Sequence, residues 1–169
     1  IDDLKKLVDR VKSAQKNKEV VSIAYHGNIV DLWESFYKNK VMVDIGSDQT
    51  SLHNPWSGGY YPVGYTFEEA NKLIYKDPKK FKSEVKLTLK KHVEIINKHV
   101  KKGTYFFDYG NAFLLEASKA DTDILEEDGS FKYPSYVQDI MGPMCFDYGF
   151  GPFRCCLLYT SPSPRDETK

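Results

Sequence analysis

Apolar positions along the chain change period several times, and each change marks an element. Leu4, Leu7, Val8 and Val11 recur at i, i+3, i+4 and i+7 behind Asp2-Asp3, which predicts an amphipathic helix that Lys16-Asn17-Lys18 ends. Val20 to Tyr25 is short, β-branched and mostly apolar, the pattern of a buried strand. After the turn His26-Gly27-Asn28, the residues Ile29, Leu32, Trp33 and Phe36 mark a second helix, and Val41 to Ile45 reads as the next strand. Thr66 and Glu69 have capping-box spacing and open a third helix through Tyr75. Asp77-Pro78 restarts helix with an acidic cap and proline at the first position. Phe81, Val85, Leu89, Val93, Ile96 and Val100 then form one long stripe that Gly103 closes. The lysines from Lys79 to Lys102 fall mostly off that stripe and predict a solvated face, with His92 and His99 expected at the surface beside them. Thr104 to Asp108 predicts a further strand and Ala112 to Ala120 a further helix, while Asp121 to Gly129 is acidic and reads as an exposed loop. From Tyr133 onward proline, glycine and aromatics are dense, which predicts packed irregular structure.

The stretch from Val43 to Pro62 organises this pattern. It starts as an apolar run and becomes a long polar loop containing Leu52, Trp56, Tyr60 and Tyr61. Loops of that length are functional or disordered, and the large apolar side chains argue for packing. The expectation is a ligand loop at the carboxyl end of a strand, where open α/β sheets bind ligands; a packed surface loop with no ligand is the alternative. Two shorter turns, Tyr25-His26-Gly27-Asn28 and Asp108-Tyr109-Gly110-Asn111, each lie between an apolar run and a helix. The alternation of strand, polar turn and helix gives an α/β fold with a parallel sheet, its polar turns gathered at one edge around a shared nucleotide or cofactor cleft.

Composition narrows the partners. The chain has 169 residues, 41% of them hydrophobic, enough for one domain or a piece of a larger one. Formal net charge is zero, so no general attraction to nucleic acid or to an anionic membrane is indicated. No apolar run is long enough to cross a membrane, and no signal-peptide pattern opens the chain. The first residue is Ile1 rather than Met, as expected of a fragment. Cys145, Cys155 and Cys156 form no disulfide framework or metal motif, so a reducing, cytoplasmic setting and no metal are expected.

The candidate chemistry is sparse. His53, among Thr50, Ser51 and Asn54, either polarises a ligand or serves as a structural hydrogen-bonder, and His26 stands at the same edge with the same alternatives. Arg154 suits bidentate capture of a carboxylate or a buried ion pair. Neither G-x-G-x-x-G before a helix nor a Ser-His-Asp or Cys-His order occurs. From these residues alone the chain is part of a cofactor-binding α/β enzyme.

Five runs carry more information. They are Ala24-Tyr25-His26-Gly27-Asn28, Gly46 through Pro55, Tyr105 through Asn111, Tyr133 through Met144, and Phe150-Gly151-Pro152-Phe153-Arg154. Together they resemble the urocanase (urocanate hydratase) family, in its longer subtype, over nearly everything from the first helix to Arg154. The resemblance implies an enzyme that adds water to urocanate to give imidazolone propionate in histidine breakdown. It implies tightly bound NAD acting as an electrophile with no net redox change, and a cytosolic homodimer. It implies NAD contacts at Asn28, Ile29, Gln49, Thr50, Ser51, Leu52 and His53, at the aromatic pair Tyr60 and Tyr61, and at Tyr109, with Arg154 on the substrate carboxylate. On this reading residues 1–120 are the C-terminal part of a Rossmann-like NAD domain and 121–154 begin the urocanase core.

The departures are equally specific. The family's Gly-rich phosphate loop and its active-site cysteine fall outside this chain, so Cys145, Cys155 and Cys156 take no catalytic role and the isolated chain is expected to be inactive. After Arg154 the family pattern stops, and Cys156 to Asp166 reads as a translated sequencing adaptor, so residues 155–169 are expected to be a disordered tail that is not biological. The rival readings are a fragment of a generic NAD-dependent dehydrogenase and a non-catalytic nucleotide-binding module.

Overall fold

The computed structural model describes residues 1–49, 54–110 and 112–149. Helix α1 runs Leu4–Asn17, and Asp3 caps it by accepting from the Lys6 amide at 2.8 Å. It stops where Lys18 turns left-handed at φ 52° and returns its N–H to Ala14 and Gln15 carbonyls. Leu7, Val8 and Ala14 are its buried face.

Residues 20–25 are not the buried strand that their composition predicts. Val20 is fully exposed and Val21 partly so, and no strand pairs with this segment among the described residues. It is tied instead to the first residue, with the Ile1 amino group donating to the Ala24 carbonyl and the His26 amide to Ile1. β-Branched letters favour extended backbone, but only a neighbouring strand makes that backbone a ladder.

Helix α2, Ile29–Lys38, is capped by Asn28, whose Oδ1 accepts from the Val30 amide at 2.9 Å. Strand β1 is Ile45–Asp48, later than the expected Val41–Ile45. Val41 closes the preceding helix through its amide on Phe36 O, and the ladder begins only where the partner strand arrives, with the Tyr105 amide on Asp44 O. Gly46, read from sequence as loop, lies inside the strand opposite Phe106, and it is glycine that fits there, since a Cβ would stand 2.6 Å from the Trp33 ring.

Helix α3, Phe67–Lys76, has the reciprocal Thr66/Glu69 capping box. Helix α4, Pro78–Val100, starts from the Asp77 cap. Its lysines are exposed, apart from the half-buried Lys90. His92 and His99 are not on that face: both are buried, at 0% and 3% exposure. Their spacing explains this, since Val85, His92 and His99 repeat every seven residues and share the apolar stripe. The helix ends at Val100, and Gly103, at φ +105°, turns the chain into β2.

Strand β2, Tyr105–Asp108, pairs parallel with β1 in the register Ile45–Tyr105 to Asp48–Asp108. Phe106, Asp48 and Asp108 face inward, whereas Ile45 and Tyr105 are exposed on the other face. Helix α5, Phe113–Lys119, follows. The acidic segment is exposed as expected, except that Ile124 inserts into the core. The last part is more regular than its composition predicts: Ser135 bridges Asp108 alongside β2, a π-helical turn spans Tyr136–Met141, and α6 spans Gly142–Phe146. One cluster built around α4 joins Trp33, Tyr60, Phe106, Phe113, Ile124 and Tyr133.

Candidate functional site

The carboxyl ends of β1 and β2 lie side by side, and the chain returns to them from three directions. Asp48 and Asp108 are register partners, both buried. The Tyr109 amide donates to the Asp48 carbonyl at 3.2 Å, which carries the ladder one residue beyond the strands, and the Asp108 amide donates to Pro134 O at 2.9 Å. Gln49 follows Asp48 directly and turns its amide onto Ser47 Oγ at 3.3 Å.

The segment after Gln49 comes back through a 3-10 turn at Pro55–Ser57. The Gly59 amide closes it on Asn54 O at 3.0 Å, and Lys82 stands over the Trp56 ring. Tyr60 then drives into the core. Its hydroxyl lies 3.0 Å from His92 Nδ1, and the two rings stack at 6.2 Å between centroids. Burial pushes the Tyr60 phenol well above its ordinary range, and the charge of nearby Asp48 adds to that. Burial alone lowers His92 to about 3, so its imidazole is neutral at any physiological pH. His92 therefore packs, with Phe113 edge-on at 5.0 Å, rather than exchanging protons.

Tyr61 joins this edge to the first turn. Its carbonyl accepts from Asn28 Nδ2 at 3.1 Å and its hydroxyl donates to Asn71 Oδ1 at 2.9 Å. Asn28 thus spends its oxygen on the helix and one N–H on Tyr61, while Ile29, the first residue of α2, packs half-buried against the core. On the other flank the Tyr109 ring stacks on Tyr136 at 5.2 Å with the planes 9° apart. Gly110 has φ +103°, and a Cβ there would meet Val137 at 2.8 Å, so this turn admits only glycine.

Of the sequence-predicted residues, Asn28, Ile29, Gln49, Tyr60, Tyr61 and Tyr109 lie along this connected edge. Thr50, Ser51, Leu52, His53 and Arg154 lie outside the described residues, as do Asn111 and the tail 155–169. His26 is exposed beside Asp2. Sequence reasoning missed Asp48, Asp108, His92 and Tyr136. Only His92 had a readable signal, its place on the stripe of α4. Among the described residues no group of His, Cys, Asp and Glu is placed to hold a metal ion, and no helix is long and apolar enough to cross a membrane.

Parallel strands joined through helices, with polar turns gathered at their carboxyl ends, define a Rossmann-like α/β domain. Residues 1–140 match the Urocanase Rossmann-like domain. The chain is 50% identical to a probable urocanate hydratase of Caenorhabditis elegans and 54% identical to one of Dictyostelium discoideum, with 97% of this chain covered in both. It is 47% identical to the urocanate hydratase of Mus musculus over 98% of its length. The chain belongs to the urocanase family. It spans about a quarter of the length of these relatives.

Proposed function

We propose that this chain is the part of a urocanate hydratase that holds NAD against the carboxyl edge of its sheet. The observation that carries the reading is the near-complete match to proteins named urocanate hydratase, at 47–54% identity. The connected edge described above lies within that match. The donor set also suits the group. Gln49, Tyr109 and the turn at Asn28 offer uncharged hydrogen-bonding atoms and an aromatic face, a chemistry for ribose hydroxyls, a carboxamide and a flat ring.

Bound NAD would supply the electrophilic ring that activates the urocanate imidazole toward water. The residues of this chain do the holding. Asn28 and Ile29, at the N-terminus of α2, would meet the cofactor, and Gln49, Thr50, Ser51, Leu52 and His53 would supply further contacts to it. Tyr61 would border it, with Tyr60 holding that corner from inside the core rather than touching the ligand; Tyr109 would close the far side, and Arg154 would take the substrate carboxylate. The parent protein would work as a cytoplasmic homodimer in histidine breakdown.

The test is urocanate turnover by the full-length parent protein with NAD bound. Loss of urocanate absorbance without NADH formation is the expected result. Substrate-dependent NADH accumulation would assign a dehydrogenase instead, and NAD binding with no turnover of urocanate would assign a nucleotide-binding module. The isolated chain is expected to show no hydration.

A further inference from the structure

The two ends of the segment between β1 and Tyr61 both lie inside the core rather than at the surface. The outgoing end is Asp48, buried at the last position of β1. The returning end is Tyr60, 3% exposed, whose phenol senses the Asp48 charge and lies against His92. His92 comes from the middle of α4, so the central helix of the core holds the returning end of the segment.

The histidine is an unusual choice for that place. It is fully buried, and its Nε2 has no hydrogen-bond partner among the described residues. A buried polar atom left unpaired costs stability, and an apolar residue of similar size would pack against Phe113 without that cost. Among the described residues, the one polar contact that His92 makes is to Tyr60. The tautomer follows from the same accounting. With hydrogen on Nδ1, the ring donates to Tyr60 Oη and only a lone pair is left unmatched. With hydrogen on Nε2, an N–H is buried with no acceptor, which proteins rarely tolerate. On the Nδ1–H assignment the phenol accepts from His92 and keeps its own proton.

We propose that Tyr60 and His92 are a positioning pair that clasps the base of this segment, fixing Gln49 and the Tyr60-Tyr61 corner for the ligand. The clasp acts through backbone geometry. Tyr60 carries Tyr61, whose carbonyl is held by Asn28, and Asp48 carries Gln49 and receives the Tyr109 amide. One buried hydroxyl–imidazole contact thus fixes the spacing between three turns. This inference rests on the NAD reading for its consequence but not for its geometry.

The experiment compares the full-length parent protein with its Tyr60→Phe, His92→Phe and doubly substituted variants, by three readouts. These are amide exchange at Gln49 and residues 54–61, NAD dissociation constant, and melting temperature. Expected are faster exchange confined to those amides in each single variant and about tenfold weaker NAD binding. The double variant should be no worse than the worse single one, because both remove one shared contact. Unchanged exchange at Gln49 and 54–61, or additive losses, would overturn the clasp. So would variants that only melt earlier while binding NAD as before. If the unsubstituted protein binds no NAD, the proposed function fails, and the exchange pattern still decides the clasp in either direction. Tyr60→Phe keeps the ring and guards against a variant that fails to fold.

Discussion

His99 Nε2 donates to the Trp33 carbonyl across 2.9 Å, linking residues that are 66 positions apart. The bond ties the last turn of α4 to the middle of α2, and the rings of Trp33 and Tyr37 pack edge-on around the same imidazole. Gly46 of β1 also lies against the Trp33 ring, so helix, helix and sheet converge on one indole.

Replacing His99 by Phe should keep most of the packing but remove the donor from the Trp33 carbonyl. The expected cost is about 1–3 kcal/mol of folding stability, measured by denaturant titration of the chain. A change within about 0.5 kcal/mol, the spread of a neutral surface substitution, would show that the bond contributes nothing net.

Stability should fall in mild acid, and the two buried histidines set the sign. His92 is lowered from 6.5 to about 3 by burial, and His99 is lowered by burial, with its bond to Trp33 opposing. His92 stays neutral in the fold, and His99 resists protonation more than it does unfolded, while the unfolded chain takes up protons below its own value of 6.5. Their contribution is therefore complete above that pH and lost as pH falls below it, at up to about 1.4 kcal/mol per unit for His92. The carboxylates lowered in the fold, such as Glu19 and Asp123, add their loss only around and below their ordinary values of 4.5 and 3.8. The check is a series of melts from neutral pH to pH 4.5. His92→Phe should flatten that slope, and an unaltered slope would refute the assignment.

Gly46→Ala should destabilise by about 1–3 kcal/mol, the range for forcing atoms into a filled core. The added Cβ would stand 2.6 Å and 3.0 Å from two carbons of the Trp33 ring. Co-substitution of Trp33 by Phe should recover part of the loss, because it frees the space that the methyl needs. Failure of any recovery in a double-mutant cycle would place the strain elsewhere.

Tyr109→Ala should weaken NAD binding by the parent protein more than it lowers melting temperature, because the ring stacks on Tyr136 at the edge of the fold rather than within its core. Titration calorimetry beside a thermal melt separates the two effects.

The helices were legible in the sequence because their signals are local. Thr66 with Glu69, Asp77 with Pro78, and the stripe from Phe81 to Ile96 each state an element without reference to anything distant. The strands were less legible because pairing is not local. Residues 20–25 have strand letters and no partner strand among the described residues, while Gly46-Ser47-Asp48 have turn letters and do have one. The site showed the same division. The turns at Asn28, Gln49 and Tyr109 could be read from residue type, but the core contact between Tyr60 and His92 spans 32 positions and appears only after α4 has packed.

The most direct test of the account is amide exchange of the full-length parent protein with and without NAD. The account predicts slowed exchange at Gln49, Tyr61, Tyr109 and Gly110, with little change along the lysine face of α4. Protection absent from that edge, or concentrated in the cleft lined by Tyr37, Met42 and Lys102 at the opposite end of the sheet from these turns, would contradict it.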